Sequence, residues 1–375
     1  MDNREAKIVA IAMFKNESKG IRRMLESTLG YVDYWVVQDN GSTDGSDKIA
    51  IEYFEEHNIP YHYYQCEEGW VGFGWNRDHL LQTCLNHNHG CDWILKMDCD
   101  EYLEVDDDFD WSPFNDKTIQ SFHVTAEQPG CTYYRAWMWN ANLPWHFKHD
   151  VAHECIVCDI EGVGENFQRF NLPRGLRQIG TTDGESYLSP TKYISDALKL
   201  EDQQISEGTL LEDNYHFWYV GKSYHDAAYA PVFPLGFEQQ KEFARRAVFY
   251  FKAWMNHVCN YDEVGYPGGT HEMAYFTMFS IGQMYRLLQE PEKALEYFIL
   301  AQPFASMRNE HLVGLAETCR DIGDYPSMLY YTKKLIQPER KCPFPDCFFL
   351  VNNAFYHDTG DYPQRLHNHA LELNQ

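Results

Sequence analysis

Asp98-Cys99-Asp100-Glu101 follows the apolar run Trp93-Ile94-Leu95-Lys96-Met97 without a break, so two carboxylates one residue apart emerge together from the end of an expected strand. Such a pair can hold a hard divalent cation, Mn2+ or Mg2+, which takes oxygen ligands and can bridge the diphosphate of a nucleotide as that group leaves. A metal would also reconcile an anionic ligand with a chain of formal charge −25, from 31 Lys+Arg against 56 Asp+Glu. The plain alternative is a solvated acidic stretch, because residues 98–110 hold eight acids in thirteen positions. Asp106 to Asp110 is assigned to that alternative. Asp98 and Asp100, directly behind an apolar strand, are assigned to the metal. An EF-hand fails, since Leu103 stands where its loop needs Gly and Phe109 where it needs Glu.

Lys7–Met13 reads as a strand buried on both faces. Ile21, Met24, Leu25 and Leu29 then follow a helical spacing that Gly30 stops. Tyr34–Gln38 is a second strand, broken by the turn Asp39-Asn40-Gly41-Ser42-Thr43-Asp44-Gly45, and Ile49–His57 returns to a helical pattern. Strand, helix, strand, turn, helix predicts a parallel sheet whose ligands gather at the C-terminal ends of the strands. Both the turn and the Asp98/Asp100 pair fall at such ends. The aromatic and β-branched residues of 121–157 predict further strands and a mixed sheet, and helical patterning takes over after about residue 190.

The C-terminal half repeats. Gly282, Tyr285, Ala294, Phe298 and Ala301 have the small/large spacing of a tetratricopeptide unit, and Ala316, Cys319, Met328, Thr332 and Leu335 occupy the same offsets 34 residues later. Gly323-Asp324-Tyr325-Pro326 returns as Gly360-Asp361-Tyr362-Pro363, at the expected inter-helix turn. An earlier unit begins at Gly221 and Tyr224 and resumes at Ala247, Phe251 and Trp254.

Three ordered stretches, Met13-Phe14-Lys15-Asn16-Glu17, the turn at 39–45, and Asp98-Cys99-Asp100-Glu101, resemble the motifs of family-two glycosyltransferases with the GT-A fold. Trp70-Val71-Gly72-Phe73-Gly74-Trp75-Asn76-Arg77 and Trp145-His146-Phe147-Lys148 leading to His153-Glu154 resemble one branch of that family, whose members often carry tetratricopeptide repeats. The resemblance implies an α/β GT-A domain over 1–200, Rossmann-like with a mixed, mainly parallel sheet, and an all-α tetratricopeptide-like repeat domain over 205–375. It implies inverting transfer from a nucleotide-sugar donor, a UDP-sugar above others, to a glycan or protein acceptor. Phe14, Asn16 and Glu17 would line the nucleoside pocket and Asp39 would contact the base. Asn76 and Cys99 are counted among the donor contacts, and the guanidinium fork of Arg77 suits the diphosphate. Asp98 would touch ribose or metal and Asp100 would bind the metal directly. Inversion needs a base on the acceptor side. His153-Glu154 stands where the family keeps it, with Glu154 as base and His153 as a metal or phosphate contact, or the two exchanged. A late histidine ligand usual in relatives is missing from Gln178-Ile179-Gly180-Thr181-Thr182-Asp183, leaving Asp183 or water to substitute.

The remaining features set bounds. The negative charge disfavours nucleic acid as a partner. No apolar run is long enough to span a membrane, and the N-terminus lacks a signal-peptide core, so a cytoplasmic location is expected. Eleven scattered cysteines read as buried thiols, in preference to zinc held by Cys155, Cys158, Cys342 and Cys347. Trp137, Trp139 and Trp145 are read as core before sugar platforms. The helical repeats could dock an acceptor or form a homodimer. Two other classes compete: a catalytically inactive scaffold that binds a nucleotide or glycan, and a nucleotidyltransferase. The latter usually needs a glycine-rich basic loop that Phe14-Lys15-Asn16-Glu17 does not provide.

Overall fold

A computed structural model of the protein describes residues 4–87, 89–148, 154–161, 163–164, 169–172, 175–183, 191–208, 214–229, 236–257, 269–304, 307–343, 351–356 and 360–374. The chain divides into two compact units, Met1–Pro129 with Tyr134–Ser189, and Gly130–Tyr133 with Pro190–Gln375. Among the described residues no helix is long and apolar enough to cross a membrane.

The first unit is α/β. Strands β1 (Ile8–Phe14), β2 (Tyr34–Asp39), β3 (Tyr61–Gln65) and β4 (Trp93–Lys96) form its parallel part, interleaved with helices α1 (Ile21–Ser27), α2 (Ser46–Glu56) and α3 (Phe73–His87). β5 (Glu101–Val105), β6 (Ser121–Gln128), β7 (Cys131–Asn140) and β11 (Leu176–Gly180) complete a sheet of order β3-β2-β1-β4-β7-β6-β11-β5, with β7 antiparallel to β4 and β5 antiparallel to β11. β10 (Arg169–Asn171) pairs with β6, and β8 (Trp145–Lys148) with β9 (Cys155–Cys158) makes a separate hairpin. The sheet is mixed, as the sequence predicts.

Side chains alternate along β1, so the strand is buried on both faces. Ile8, Ala10, Ala12 and Phe14 pack with Met24, Leu25, Tyr53 and Phe54 of α1 and α2. Val9 and Ile11 pack on the other face with Leu80, Leu81 and Cys84 of α3. Trp139 and Trp145 lie in this second core, and the Trp145 indole donates to the Asn140 carbonyl at 2.8 Å, so neither forms a platform.

Several elements escape the sequence reading, β5, β10 and β11 among them, and two more lie in the parallel part. β3 is Tyr-His-Tyr-Tyr-Gln, half-buried along its length, with no apolar run to mark it. α3 buries Gly74 and Asn76 along with Leu80, Leu81 and Cys84, so polar and small residues interrupt its helical apolar stripe.

The second unit is helical: α4 (Lys192–Glu207), α5 (Asn214–Tyr229), α6 (Phe237–His257), α7 (Gly269–Leu287), α8 (Pro291–Ala301), α9 (Glu310–Ile322), α10 (Tyr325–Leu335) and α11 (Tyr362–Leu373). A Cβ at Gly282 or Gly314 would lie 2.6 Å from the Phe298 ring, and one at Gly221 would lie 3.0 Å from Phe251. Glycine at these points lets neighbouring helices approach over a buried aromatic ring. Asp324 caps α10 by accepting from the Ser327 amide, and Asp361 sits at the start of α11. The two Gly-Asp-Tyr-Pro stretches thus both open helices. Before the second, the described residues form a short strand (Val351–Asn352) and a 3-10 turn (Asn353–Phe355) where the repeat spacing predicts a helix.

Candidate active site

The C-terminal ends of β1, β2, β3 and β4 meet at one edge. Asn16 turns through φ 60°, a left-handed conformation that Asn tolerates. Its amide donates to Ser42 Oγ at 3.0 Å and its Oδ1 accepts from the Thr43 amide at 2.8 Å. The amides of Glu17 and Ser18 donate to Ser46 Oγ and Asp44 Oδ2 at 2.8 and 2.9 Å. The segment after β1 is thereby stapled to the turn after β2. Asp39, buried, shapes that turn from within: Oδ1 accepts from the Ser42 and Gly41 amides at 2.8 and 3.1 Å, and Oδ2 from the Tyr63 hydroxyl at 3.3 Å. Burial, and then the Asp39 charge, push the Tyr63 phenol up to about 12.

Three of the residues expected to contact the donor are buried. Phe14 is 2% exposed and belongs to the core, because β1 points it toward α1. Cys99 is 4% exposed in the same core, and burial raises its thiol well above the usual range. Asn76 is fully buried: Oδ1 accepts from the Val71 and Gly72 amides at 2.9 and 3.0 Å, while Nδ2 donates to the Gly69 carbonyl at 2.8 Å and to Asn40 Oδ1 at 2.9 Å. It clamps the loop 66–72 to the β2 turn, leaving the donor no contact with its amide.

Charge concentrates at the end of β4. Lys96, 3% exposed, donates from Nζ to both oxygens of Asp98 at 2.8 Å and lies 3.4 Å from the Trp137 ring centroid. Arg135 lies 3.9 Å from the same centroid and pairs with Glu101. On its other side Asp98 meets Arg77 at 3.3 Å, and Arg77 in turn pairs with Glu154. Burial, and then Arg77, push Lys96 down to about 8 in spite of Asp98. Burial works against the Asp98 charge, but Lys96 and Arg77 outweigh it and hold the carboxyl well below the usual range.

The strand end is braced from β11. Gln178 Nε2 donates to the Lys96 carbonyl at 2.6 Å, and the Thr181 amide to the Asp100 carbonyl at 2.8 Å. Asp183, the expected substitute for the missing histidine ligand, pairs with Arg23 at 2.8 Å. Asp98 too is paired, with both its oxygens engaged by Lys96. Asp100, partly exposed, has the hard oxygens that a divalent cation takes. Among the described residues no cluster of three or more His, Cys, Asp and Glu converges. These residues therefore fit a cation held by one carboxylate and completed by donor phosphates, a common arrangement for Mg2+, and do not fit an all-protein cage. His153 and Cys347 lie outside the described residues.

The structure thus brings together Arg77, Asp98 and Glu154, which lie far apart in sequence, and places Asp39, Asn16 and Glu17 on the adjoining loops. Sequence reasoning missed Lys96, Arg135 and Arg23, read Trp137 as core, and named Gln178 only as part of the segment that lacks a histidine. Only Lys96 carried a signal, as a lone charge inside an apolar strand.

A search of curated proteins finds no match to the chain. Among solved structures it is similar to the crystal structure of S. aureus TarS 1-349, at 11% identity and TM-score 0.37, covering 79% of this chain and 90% of that one. It is also similar to the mannosyltransferase PcManGT from Pyrobaculum calidifontis in complex with GDP-Man and Mn2+, at 13% identity and TM-score 0.37, covering 80% of this chain and 87% of that one. Superpositions this loose transfer neither fold nor chemistry. Residues 9–109, from β1 through the acidic stretch after β5, match the model of Glycosyl transferase family 2.

Proposed function

We propose that the chain is an inverting glycosyltransferase, taking a sugar from a nucleoside-diphosphate donor, first of all a uridine one, to a hydroxyl of a glycan or protein. The observation that carries this reading is the ion-pair chain Glu154–Arg77–Asp98. It links the base candidate to the aspartate motif through a guanidinium suited to phosphate.

Before the donor arrives, Glu154 is paired with Arg77. A diphosphate that draws on the same guanidinium loosens that pair. Glu154 then accepts the acceptor's proton as the acceptor oxygen bonds to the anomeric carbon and the bond from that carbon to the diphosphate breaks. His153 remains the second candidate for the base. A divalent cation, Mn2+ or Mg2+, held by Asp100 would neutralise charge on the departing diphosphate. The nucleoside would lie against the stapled loops of Asn16, Glu17 and Asp39. The helical unit is read as tetratricopeptide-like and assigned to acceptor docking, supported by the repeated packing of glycine on phenylalanine.

Calorimetric titration of UDP-sugars and GDP-sugars, with and without manganese and again on Asp100→Ala, tests the reading. Metal-enhanced binding of one donor, weakened in the variant, is expected. Binding of no donor would leave an inactive nucleotide- or glycan-binding scaffold in its place. The anomeric configuration of the product, read by NMR, tests inversion.

A further inference from the structure

Lys96 ends a strand whose other members, Trp93, Ile94 and Leu95, are apolar and buried, and it is itself buried. An ammonium taken out of water needs a partner. Among the described residues its Nζ donates to Asp98 alone, meeting both oxygens at 2.8 Å. The Trp137 ring covers it, and Arg135, on the same ring, is tied to Glu101. Gln178 Nε2 donates to the Lys96 carbonyl at 2.6 Å, which fixes the backbone that carries the ammonium. Arg77 adds a second cation, with Nη2 at 3.4 and 3.3 Å from the same two oxygens. Each Asp98 oxygen therefore already faces two positive donors, and its charge is compensated from within the protein.

We propose that Lys96 is a positioning residue that keeps Asp98 off the divalent cation, so that the metal rests on Asp100 and is completed by the donor's phosphates. The inference rests on the transferase reading above and concerns how its metal is admitted. An ammonium and a divalent cation compete for the same carboxylate oxygens, and the affinity of an oxygen site rises with the number of charged ligands it can use. With Asp98 withheld, the protein holds a cation poorly by itself and needs the diphosphate to keep it. Metal and donor are then retained together, each raising the affinity for the other.

The test is Mn2+ titration of the full chain, followed by EPR without nucleotide, on wild type, Lys96→Met and the double variant Lys96→Met/Asp98→Asn. Lys96→Met removes the charge and keeps the length of the side chain. It is expected to bind Mn2+ about 10-fold or more tightly than wild type, because Asp98 joins the ligands. Loss of structure does not produce such a gain. The double variant removes both members of the pair at no change in net charge, and is expected to return to within about threefold of wild type. Absence of the gain in folded Lys96→Met overturns the assignment. A loss of about 10-fold in the double variant overturns it too, since Asp98 would then be a ligand in the wild type. That second arm decides the matter if Lys96→Met does not fold. Calorimetry of UDP and GDP with Mn2+ on the wild type separates the two readings: nucleotide binding alongside a failed Lys96 assignment leaves the transferase reading intact, whereas a wild type that binds neither Mn2+ nor nucleotide ends both.

Discussion

At the scale of single residues, the site is made as much by side chains that never meet a ligand as by those that would. Asn76 satisfies two amides, a carbonyl and another amide side chain from a fully buried position. Asn76→Ala strands those groups away from water and is expected to cost about 2–4 kcal/mol, read from the urea midpoint. Asn76→Asp is expected to cost at least as much, because a carboxylate cannot donate to Gly69 or Asn40. Arg77 is the opposite case, since its partners are the proposed base Glu154 and Asp98 of the acidic motif. In Arg77→Gln, nucleoside-diphosphate binding is expected to weaken about 10-fold or more, as expected for a charged fork aimed at phosphate, and the unfolding midpoint to fall because the buried Glu154 carboxylate loses its partner. Equal binding by wild type and variant would remove Arg77 from the donor site. Lys96 was visible in the sequence only as an oddity, and its meaning came from Asp98 and Trp137 folding over it.

At the scale of elements, close approach explains two sets of glycines. A Cβ at Gly20, which precedes α1, would collide with the Cys99 carbonyl between the two aspartates. Gly20→Ala is therefore expected to displace the Asp98–Asp100 segment, destabilising the protein by about 1–3 kcal/mol and weakening Mn2+ binding as seen by EPR. Unchanged metal binding would show that α1 does not position that segment. In the helical unit, α9 carries His311, fully buried, whose Nδ1 pairs with the Tyr275 hydroxyl and whose Nε2 lacks a partner among the described residues. Burial pushes its pKa from 6.5 down to about 4, with Arg340 and Arg308 opposing the charge and Glu310 favouring it. A folded-state pKa below the unfolded one means that unfolding takes up a proton between those values. Stability is then fully present above pH 6.5 and is lost as the pH falls through 4, by at most about 3 kcal/mol for this group. His311→Gln is expected to flatten part of the fall in melting temperature between pH 7 and 4.5; an unaltered pH slope would assign that fall to other groups.

At the scale of the molecule, two compact units imply two cores with separate melting behaviour. Asn76→Ala is expected to lower one calorimetric transition, and Gly282→Leu, which drives a side chain into Phe298, to lower the other. A single transition moved equally by both variants would show that the units unfold as one. The acidic composition bears on solubility and partners at this scale, whereas the cations at the end of β4 act only within a few ångströms of Asp98.

Much of this was legible in the chain itself. Apolar runs marked β1, β2 and β4 because strands buried on both faces must be continuously apolar, and abrupt acidic or glycine-rich breaks marked the edge where ligands gather. The helical character of the C-terminal half was legible in its patterning, and the structure shows that only small residues fit beneath Phe251 and Phe298. Tertiary structure alone decided which polar groups meet. It joined Arg77 to Glu154, gave Asp98 to Lys96 and Asp183 to Arg23, and turned Asn76 inward. Ion pairing and burial depend on distances between residues remote in sequence, and no local pattern encodes those distances.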